Sequence, residues 1–456
     1  MSRAVVTPIP VARGAVPVLG HAPAMLRGPV RFLSSLAGQG DLVRIALGPV
    51  KAVMVCDPEL ANRMFLDDRT FDKGGPFSER AREVVGNNVA FCPYHEHRRQ
   101  RRLLQPAFHP DRFPGYGRTM AAQIGEQVDG WRDGQVLDVP TRMTMLTTNV
   151  LTATMFSDTL SPDELRRSRE DADVLATDFL FRMLVPDPVL RLPLPVNRRF
   201  DRARVRMRRT VDQLVATRRA TGGDRGDLLS ALLAAHDAES TGDERTLSDE
   251  EIVNQVMTFH LAGSETTATT LTWALHLVAT HPDVERRLHA EVDAVLAGRT
   301  AGYDDLPRLE LTGRIITETL RLYAPAWLLT RRVTRDTELG GHALPEGTVI
   351  AYSPYLIHHR ADLYPEPERF DPDRWDATRG PTPPRTAFLP FAHGARKCIG
   401  DRFSLVEATL ALASIAARWR LAHVPGDPPV RPAVSAVIRP RRLRMRATAR
   451  GGAAHQ

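Results

Sequence analysis

The chain is 456 residues long, and its hydrophobic content of 43% and charged content of 25% are typical of a globular protein with a large core. Its formal net charge of +7 and sequence pI of about 9.7 raise the question of nucleic-acid binding. Proteins of that class concentrate basic and aromatic residues on one surface or carry a known motif. Here the arginines are spread along the chain and aromatic residues make up only 6%, so the composition argues against a nucleic-acid partner.

The three cysteines, Cys56, Cys92 and Cys398, lie far apart and form no CxxC pair. This spacing predicts neither a disulfide framework nor a structural zinc site, and it is typical of proteins in a reducing cytoplasm. The first residues contain several prolines and no run of 18 apolar residues. We therefore expect a cytoplasmic protein with neither a secretory signal nor a membrane span.

The first half of the chain shows mainly helix signals. Residues 1–30 are rich in Pro, Gly and Ala and predict an extended arm over the surface. Apolar and polar residues alternate around a Gly-Pro turn in 42–55, which predicts a β-hairpin. The other predicted elements of this half are helices at 29–38, 58–66 and 95–104, a loop at 72–94 with a short helix near 78–85, and helices from 117 to 235 broken at 157–162 and 185–197.

A longer helix is predicted after the polar loop 237–247. Ser248 and Glu251 form the signature of a capping box, and the next proline is Pro282. A helix of about 32 residues spans about 50 Å, so we expect it to run through the middle of the molecule. The last predicted elements are helices at 283–297 and 311–323, strands near 329–335 and 347–352, and a helix beginning near residue 403.

These patterns predict a mainly α fold with a minor β portion, organised around the long central helix. We expect an N-terminal Pro-rich arm at 1–30, a single domain at 31–450 and a disordered tail at 451–456. No internal repeat or interdomain linker stands out in the sequence.

Residues 388–402 contain the strongest chemical signal. Cys398 stands between Gly394 and Gly400, just before the apolar-periodic segment that begins near Phe403. The glycines allow tight turns and close approach, and a following helix would direct its N–H groups and dipole toward the sulfur. Such a cysteine is poised to be a thiolate, although an isolated cysteine beside apolar residues is often an inert buried side chain.

The wider pattern decides between these alternatives. Phe391, Gly394, Arg396, Cys398 and Gly400 follow the spacing Phe-x-x-Gly-x-Arg-x-Cys-x-Gly, which resembles the heme-binding loop of the cytochrome P450 family. The resemblance implies that these five residues bind heme b, with the Cys398 thiolate as the axial ligand of the iron. It further implies that 31–450 is one cytochrome P450 catalytic domain.

The basic helix at 95–104 offers a site for the heme propionates. His97 and Arg101 are four residues apart and share one helix face, where together they suit an anionic group. A solvated arginine-rich face is the alternative, but the pattern resembles the propionate-binding helix of the family. Arg98 and Arg102 form a second stripe about 100° away, better placed to meet an acidic electron donor.

Residues 262–267, which read Ala-Gly-Ser-Glu-Thr-Thr, combine weak helix formers at the centre of the long helix. A Thr hydroxyl also bonds back to the i−4 carbonyl and opens a helix locally, which favours a groove for a small ligand. A small-residue helix crossing is the alternative. The segment resembles the oxygen-binding motif of cytochromes P450, which implies that Ala262 lies against the cofactor, Thr266 holds dioxygen or a nearby water, and Glu265 assists proton delivery.

Glu318 and Arg321 form an ExxR pair, which by itself is a common helix salt bridge. With Arg369 in the downstream Pro-Glu-Arg-Phe segment, it resembles the buried network that holds the cysteine loop in this family. The resemblance thus implies a scaffold role for all three residues.

A further basic segment begins at Arg331 and resembles the strand whose arginine reaches the second propionate. The spacing to Asp336 favours Arg331, but the neighbouring Arg332 leaves the choice open. The resemblance makes Arg396 a further propionate ligand. One departure from the family is Ala392, where glycine is common.

The segments expected to face the heme are overwhelmingly apolar, which favours a lipophilic small molecule as substrate. His260 is the main polar candidate among them, although a histidine on a helix is more often a satisfied structural group. The candidate pocket residues are Phe179, Met257, Phe259, His260, Trp327, Leu328 and Val437, with Phe181, Met183, Ala326 and 434–437 as neighbours.

A narrower resemblance concerns the substrate. Segments 71–77, 80–87, 97–102 and 395–401 are similar to the bacterial pentalenene oxygenases. This implies oxidation of a cyclic sesquiterpene such as pentalenene, from methyl to alcohol to aldehyde, in terpenoid antibiotic biosynthesis. A fatty-acid or macrolide hydroxylase is an alternative within the enzyme class, and a heme-thiolate sensor is the alternative outside it.

The remaining expectations concern partners. A heme-thiolate monooxygenase consumes O2, and the thiolate favours O–O cleavage. The chain has no Gly-rich dinucleotide fingerprint, so we expect a separate ferredoxin and ferredoxin reductase. The acidic ferredoxin would dock on basic residues that include Arg98, Arg102, Lys397 and Arg402. We expect the protein to be a monomer.

Overall fold

A computed structural model describes residues 8–157, 161–185 and 187–451. Helices dominate it, as the sequence predicts. The helices are α1 Ala22–Arg27, α2 Pro29–Ser34, α3 Pro58–Leu66, α4 Gly75–Val85, α5 Tyr94–Leu104, α6 Phe113–Asp129, α7 Val139–Phe156, α8 Pro162–Leu184, α9 Asp187–Leu190, α10 Pro195–Thr221, α11 Leu228–Leu233, α12 Asp249–Thr280, α13 Pro282–Leu296, α14 Glu310–Leu322, α15 Pro354–His358 and α16 Asp401–Arg418.

Short strands make up the minor β portion. They are β1 Leu42–Leu47, β2 Val50–Val55, β3 Phe71–Asp72, β4 Val136–Asp138, β5 Leu329–Val333, β6 Thr337–Leu339, β7 His342–Leu344, β8 Val349–Tyr352, β9 Trp419–His423, β10 Pro432–Val434, β11 Ile438–Pro440 and β12 Arg444–Ala449. The predicted hairpin is confirmed, because β1 pairs antiparallel with β2 and Leu47 stands opposite Val50.

The first compact unit comprises Met1–Glu83, Ala90–His97 and Leu320–Cys398. Its centre is a five-stranded sheet in the order β1-β2-β8-β5-β3. The sheet core is fully buried, and the Phe65 ring of α3 meets the Tyr352 ring of β8 edge-on at 4.7 Å between centroids. Because β5 and β8 are internal strands, their side chains are held in fixed positions for a site at this sheet.

The N-terminal segment differs from the expected extended arm. Within the described residues 8–30, the Ala12 amide donates to the Arg44 carbonyl at 2.9 Å, and α1 follows. The buried His21 ring donates from Nε2 to the Ala12 carbonyl at 2.9 Å, and its Nδ1 accepts the Ala46 amide at 3.0 Å. The segment is therefore anchored to β1 by hydrogen bonds that composition alone does not reveal. The first seven and last five residues lie outside the described chain.

The second compact unit comprises Val84–Val89, Arg98–Thr319 and Ile399–Gln456. Its longest element, α12, has 32 residues and is buried along most of its length. The capping box is confirmed, since the Glu251 amide donates to Ser248 Oγ at 3.2 Å and the Ser248 amide donates to Glu251 Oε2 at 2.9 Å. Helix α12 packs against α7, α10 and α16.

The C-terminal strands were not predicted from the sequence. In β12, Met445 and Ala447 are buried while Arg446 is exposed, so the alternation is present but is masked by an Arg-rich composition. Strand β12 pairs with β4 and β9 in a three-stranded sheet, and β10 pairs with β11.

Two sequence-based expectations concern the described chain as a whole. The three cysteines are free of disulfides. Across residues 8–157, 161–185 and 187–451, no helix is both long enough and apolar enough to cross a membrane.

Candidate active site

The cysteine loop of the first unit is a tight, hydrogen-bonded turn. The Cys398 amide donates to the Phe391 carbonyl at 3.0 Å, and the Lys397 amide donates to the Gly394 carbonyl at 3.1 Å. The Cys398 side chain is exposed, and α16 begins three residues later at Asp401. The Cys398 sulfur is therefore accessible at the surface of the loop, and a sulfur that ligates an iron must be accessible.

The backbone conformation of the cysteine loop requires a glycine at position 394. Its φ is +70°, and a Cβ there would lie 2.4 Å from the Phe65 carbonyl oxygen. At Gly400 the φ is −93° and no protein atom lies within 4 Å of a Cβ position, so the protein's own packing does not require glycine there. Ala392 also adopts a left-handed conformation, with φ 56°, which costs an alanine about 1–2 kcal/mol relative to glycine. This strain explains why glycine suits the position better.

The Arg396 guanidinium forms ion pairs and a hydrogen bond with other residues of the chain. Its Nε lies 3.2 Å from Asp68, its Nη2 lies 2.7 Å from Asp72, and its Nη1 donates to the Cys92 carbonyl at 2.7 Å. The guanidinium is completely buried. Two carboxylates therefore pair with Arg396 and fix the cysteine loop, and its expected contact with a propionate stays a prediction.

Arg331 has the opposite environment. Its side chain is fully buried in β5, and within the described chain none of its three guanidinium nitrogens has a hydrogen-bond acceptor. Arg332 points to the surface, 3.4 Å from Glu79, so the open choice falls on Arg331. Burial lowers the pKa of Arg331 below its usual range. A buried guanidinium needs an anion, and a heme propionate has that chemistry.

Helix α5 carries the other predicted propionate residues. His97 is buried and Arg101 is half-buried, which is consistent with one shared face directed inward. Arg102, expected to meet an electron donor, instead pairs with Asp237 at 2.8 Å and Glu239 at 3.2 Å. The Arg102 charge is therefore already paired within the chain, and its expected role in docking a donor stays a prediction.

Arg321, the arginine of the ExxR motif, donates hydrogen bonds to main-chain carbonyls of the downstream segment. Arg321 is fully buried, and its Nη1 donates to the carbonyls of His358 at 2.9 Å and Pro367 at 2.7 Å. Its Nη2 donates to the Arg369 carbonyl at 3.1 Å. Glu318 is also fully buried. The expected network exists around Arg321, but its acceptors in the downstream segment are main-chain oxygens.

The side chain of Arg369 does not belong to a buried network. It is exposed and pairs with Glu366 at 2.9 Å. The prediction is corrected here, because the segment is held by its carbonyls and leaves the guanidinium in solvent.

His358 joins this network to the cysteine loop. Its Nδ1 lies 3.0 Å from the Arg321 carbonyl, and its Nε2 accepts the Leu389 amide at 2.8 Å. The first contact requires a proton on Nδ1 and the second a bare Nε2, so the ring is neutral. Burial lowers its pKa well below the usual range, which stabilises this neutral tautomer. His358 thus transmits the position of Arg321 to the first residues of the loop.

In the second unit, the central segment of α12 has two different faces. On one face a Cβ at Gly263 would lie 3.0 Å from Leu151, and Thr147 Oγ1 donates to the Ser264 carbonyl at 2.9 Å. This face is the small-residue helix crossing with α7. Ala262 and Thr266 lie four residues apart on another face, where Ala262 is exposed and Thr266 half-buried. The helix-crossing alternative is therefore confirmed on the side that faces α7, while the ligand groove beside Ala262 and Thr266 stays a prediction.

Thr266 bonds back to its own helix, as predicted. Its Oγ1 donates to the Ala262 carbonyl at 2.7 Å. Helix α12 nevertheless continues without interruption from Asp249 to Thr280, so the expected local opening is absent in this part of the described chain.

Glu265 lines a cleft of about 80 Å³ within the second unit. Burial raises its pKa to about 7, an effect opposed by Arg439 and reinforced by Asp173. A carboxyl group with this pKa exchanges protons readily near neutral pH. The residues around it are Pro140, Thr144, Thr148, Arg169, Ala172, Asp173, Leu261, Ser264, Ala268, Thr269, Thr272, Arg439 and Pro440.

A second buried acid lies on α16. Glu407 is buried, and burial raises its pKa well above the usual range despite a hydrogen bond with Thr267. Thr267 Oγ1 also lies 3.0 Å from Ser404 Oγ. The Thr267 hydroxyl of α12 thus contacts both Glu407 and Ser404 of α16 and couples the two helices.

The predicted pocket residues do not all behave as ligand contacts. His260 Nε2 lies 3.0 Å from Ser168 Oγ, and burial lowers its pKa to about 4. His260 is therefore a neutral histidine with a partner inside the protein, and its role as a polar substrate contact stays a prediction. Phe259 packs edge-on against Phe108 at 5.4 Å between centroids, and Met257 is buried.

The remaining pocket candidates stay predictions. Trp327 and Val437 are buried and Leu328 is half-buried. The side chains of Phe179, Phe181 and Met183 lie outside the part of the chain whose side chains are described.

The exposed cysteine and the buried, acceptor-free Arg331 define a thiolate-ligated cofactor site with a place for an anionic group. The cytochrome P450 family model matches residues 10–445. The chain belongs to the cytochrome P450 family.

Named relatives agree with this assignment. The chain is 44% identical to pentalenene oxygenase of Streptomyces avermitilis, over 96% of this chain and 97% of the relative. It is also 44% identical to cyclooctat-9-en-7-ol 5-monooxygenase of Streptomyces melanosporofaciens, over 91% and 90%. The crystal structure of the cytochrome P450DA heme domain superposes with a TM-score of 0.87 at 29% identity, covering 98% of this chain and 99% of that one.

The protein is thus a heme-thiolate monooxygenase with the predicted P450 fold. When bound, the heme supplies the activation of O2 for insertion into a C–H bond. The residues present fit it, since Cys398 offers a thiolate ligand and Arg331 offers an uncompensated buried cation for a propionate.

Sequence reasoning missed four residues, three of them in the first unit and one in the second. Asp68 and Asp72 engage Arg396, His358 links Arg321 to the loop, and Glu407 is a buried acid on α16. Glu407 was detectable as a lone charge in the apolar stretch of α16. The others depend on long-range contacts that no local pattern reveals.

Arg321→Ala should prevent heme incorporation and lower the free energy of unfolding by about 3–5 kcal/mol, because buried carbonyl acceptors lose their charged donor. Arg369→Ala is the matched control and should cost at most about 1 kcal/mol, since its ion pair is exposed. Heme content by absorbance and urea unfolding measure both variants. A heme-replete, stable Arg321→Ala protein, or equal losses in the two variants, would contradict the network described above.

Proposed function

We propose that this monooxygenase oxidises a C–H bond of a cyclic terpene in terpenoid biosynthesis. The supporting observation is that two relatives of equal identity, each matched over at least 90% of its length, are named for pentalenene and for cyclooctat-9-en-7-ol. Pentalenene, a cyclic sesquiterpene, is the preferred candidate, because the relative named for it is matched over 96% of this chain, against 91% for the other. Oxidation from methyl to alcohol to aldehyde is the expected sequence.

The side chains of α12 support a lipophilic substrate. The main polar candidate, His260, is occupied by Ser168 and is neutral, and Met257 and Phe259 are apolar. A pocket with few polar side chains selects among substrates by their shape and apolar surface area. Such a pocket favours a rigid hydrocarbon over a sugar or peptide.

The proposed proton path begins at the cleft of the second unit. Glu265 takes protons from the solvent of the cleft, and the neighbouring Thr266 hydroxyl passes them onward after exchanging its bond to the Ala262 carbonyl. The raised pKa of Glu265 makes the protonated carboxyl abundant at neutral pH.

Electrons are proposed to come from a separate ferredoxin and its reductase, and the protein is proposed to act as a monomer in the cytoplasm. Three disulfide-free cysteines are consistent with a reducing compartment. Among the basic residues expected to dock the donor, Arg98 is exposed, whereas Arg402 donates to Tyr303 at 2.8 Å. An acidic donor would meet such basic groups through salt-sensitive contacts.

The substrate proposal is tested by titrating the heme-loaded protein with pentalenene, cyclooctat-9-en-7-ol, lauric acid and a macrolide lactone. A cyclic terpene should displace the water ligand and shift the Soret band, and turnover with NADPH, ferredoxin and ferredoxin reductase should give an oxygenated terpene. If lauric acid or the macrolide shifts the band and is oxidised while both terpenes are inert, the substrate class is wrong.

The role of Glu265 predicts a pH dependence. Its carboxyl loses its proton as the pH rises through about 7, so turnover limited by proton delivery should fall across that range. Glu265→Gln should lower turnover by about 10²-fold or more and remove this transition. Glu250→Gln, an exposed acid in the first turn of the same helix, should leave both unchanged. A Glu265→Gln enzyme with the wild-type rate and pH profile would exclude Glu265 from the proton path.

A further inference from the structure

Helix α10 of the second unit carries a large excess of positive charge. Its 27 residues include nine arginines and two aspartates, which give a net charge of +7. The whole chain of 456 residues has the same formal net charge of +7, so the charges outside α10 balance one another. Positive charge that is concentrated on one element indicates a partner of opposite charge.

About half of these arginines are already paired within the protein. The five that have an acidic group within 4.0 Å are Arg204, Arg206, Arg208, Arg218 and Arg219. Among the described side chains, no acidic group lies within ion-pair distance of the other four, which are Arg198, Arg199, Arg202 and Arg209. All four are exposed. Their charges are therefore available to a partner outside the chain.

Three of these unpaired arginines form one row along the helix. Arg198, Arg202 and Arg209 follow the spacing i, i+4 and i+11, and Val205 occupies position i+7 of the same row. Val205 is also exposed. The residues that α10 buries lie on the opposite side of the helix and are Phe200, Ala203, Met207, Val211 and Val215. The row of Arg198, Arg202, Val205 and Arg209, the arginine face, is thus directed away from the core.

An exposed apolar segment, 189–194, adjoins the arginine face. Val189, Leu192 and Leu194 are all exposed. The buried Asn197 side chain holds the segment in place, since its Nδ2 donates to the carbonyls of Val189 and Leu192, each at 2.9 Å. Leu194 is the N-cap residue of α10. Apolar side chains and unpaired arginines therefore lie next to each other on one continuous stretch of chain.

This combination fits the surface of an anionic bilayer. Leucine and valine side chains enter the boundary between headgroups and acyl chains, while arginines meet the lipid phosphates. A nucleic-acid surface typically combines basic with aromatic residues, and the arginine face contains no aromatic residue. An acidic protein would pair with the arginines, but the exposed leucines favour a partner with an apolar interior.

We propose that the arginine face and segment 189–194 dock the protein on the surface of a membrane that contains anionic lipids. The docking is peripheral, and it needs no helix that crosses the bilayer. It brings the enzyme to the phase in which a lipophilic substrate dissolves. That advantage rests on the proposed terpene substrate, whereas the docking itself follows from the charges and exposed side chains of the helix.

The test measures how tightly the heme-loaded protein binds to vesicles that are collected by centrifugation. One set of vesicles contains equal parts of phosphatidylglycerol and phosphatidylcholine, and the other contains phosphatidylcholine alone. The wild type should bind the anionic vesicles at least about tenfold more tightly than the neutral ones. This preference should shrink as salt is added up to about 0.5 M, because the contacts with phosphate are screened.

Two triple variants locate the binding surface. Replacing Arg198, Arg202 and Arg209 by Gln should weaken binding to the anionic vesicles at least about tenfold. The control replaces three other exposed arginines of the second unit by Gln and removes the same charge, at Arg132, Arg441 and Arg442. The control should bind within about twofold of the wild type. Heme content and circular dichroism check that both variants are folded.

A further variant tests the apolar segment. The double substitution Leu192→Ser and Leu194→Ser keeps every charge, and it should weaken binding several-fold because less apolar surface enters the bilayer. An affinity equal to that of the wild type would show that segment 189–194 does not contact lipid, and it would contradict the proposal.

The proposal is also wrong if the wild type does not prefer the anionic vesicles, or if the two triple variants lose equal affinity. Binding to polyglutamate or to duplex DNA without binding to vesicles would identify a different class of partner and overturn it as well. These measurements need neither a substrate nor turnover, so their outcome is independent of the terpene assignment.

Discussion

The burial of positive charge is the constraint on which the first unit depends. A guanidinium removed from water is tolerated only where acceptors surround it. Arg321 is satisfied by backbone carbonyls and Arg396 by two carboxylates, whereas Arg331 has no acceptor in the part of the chain described. The first two arginines therefore belong to the protein framework, and the third is available to an anionic cofactor. Because cofactor binding relieves this cost, the heme should also stabilise the folded protein.

In the second unit, burial raises the pKa of two acids, Glu265 and Glu407, with different consequences. Glu265 borders a cleft, its pKa rises to about 7, and the carboxyl can exchange its proton. Glu407 is enclosed, and its pKa rises so far that it serves as a neutral hydrogen-bonding partner of Thr267. Access to solvent, rather than residue type, separates the acid suited to proton delivery from the acid suited to packing.

Most of the fold follows from local sequence, since caps, prolines and periodicity place the helices and the first hairpin to within a few residues. The helix from Pro58 to Leu66 and the capping box of α12 are examples. The site was harder to predict because its contacts join distant segments. A motif identifies Arg396 and Arg369 by residue type, but it does not show that two aspartates engage Arg396 or that Arg369 contributes only its carbonyl. Strand β12 was missed because exposed arginines conceal its alternation.

The central claim is that the Cys398 thiolate ligates the heme iron. The most direct measurement is the difference spectrum of the reduced protein with and without carbon monoxide, for wild type and for Cys398→Ser. The wild type should show a thiolate-type Soret band, and Cys398→Ser should lose that band together with oxygenase turnover while keeping its helical circular dichroism. A folded Cys398→Ser protein that keeps the thiolate-type band and turnover would contradict the account.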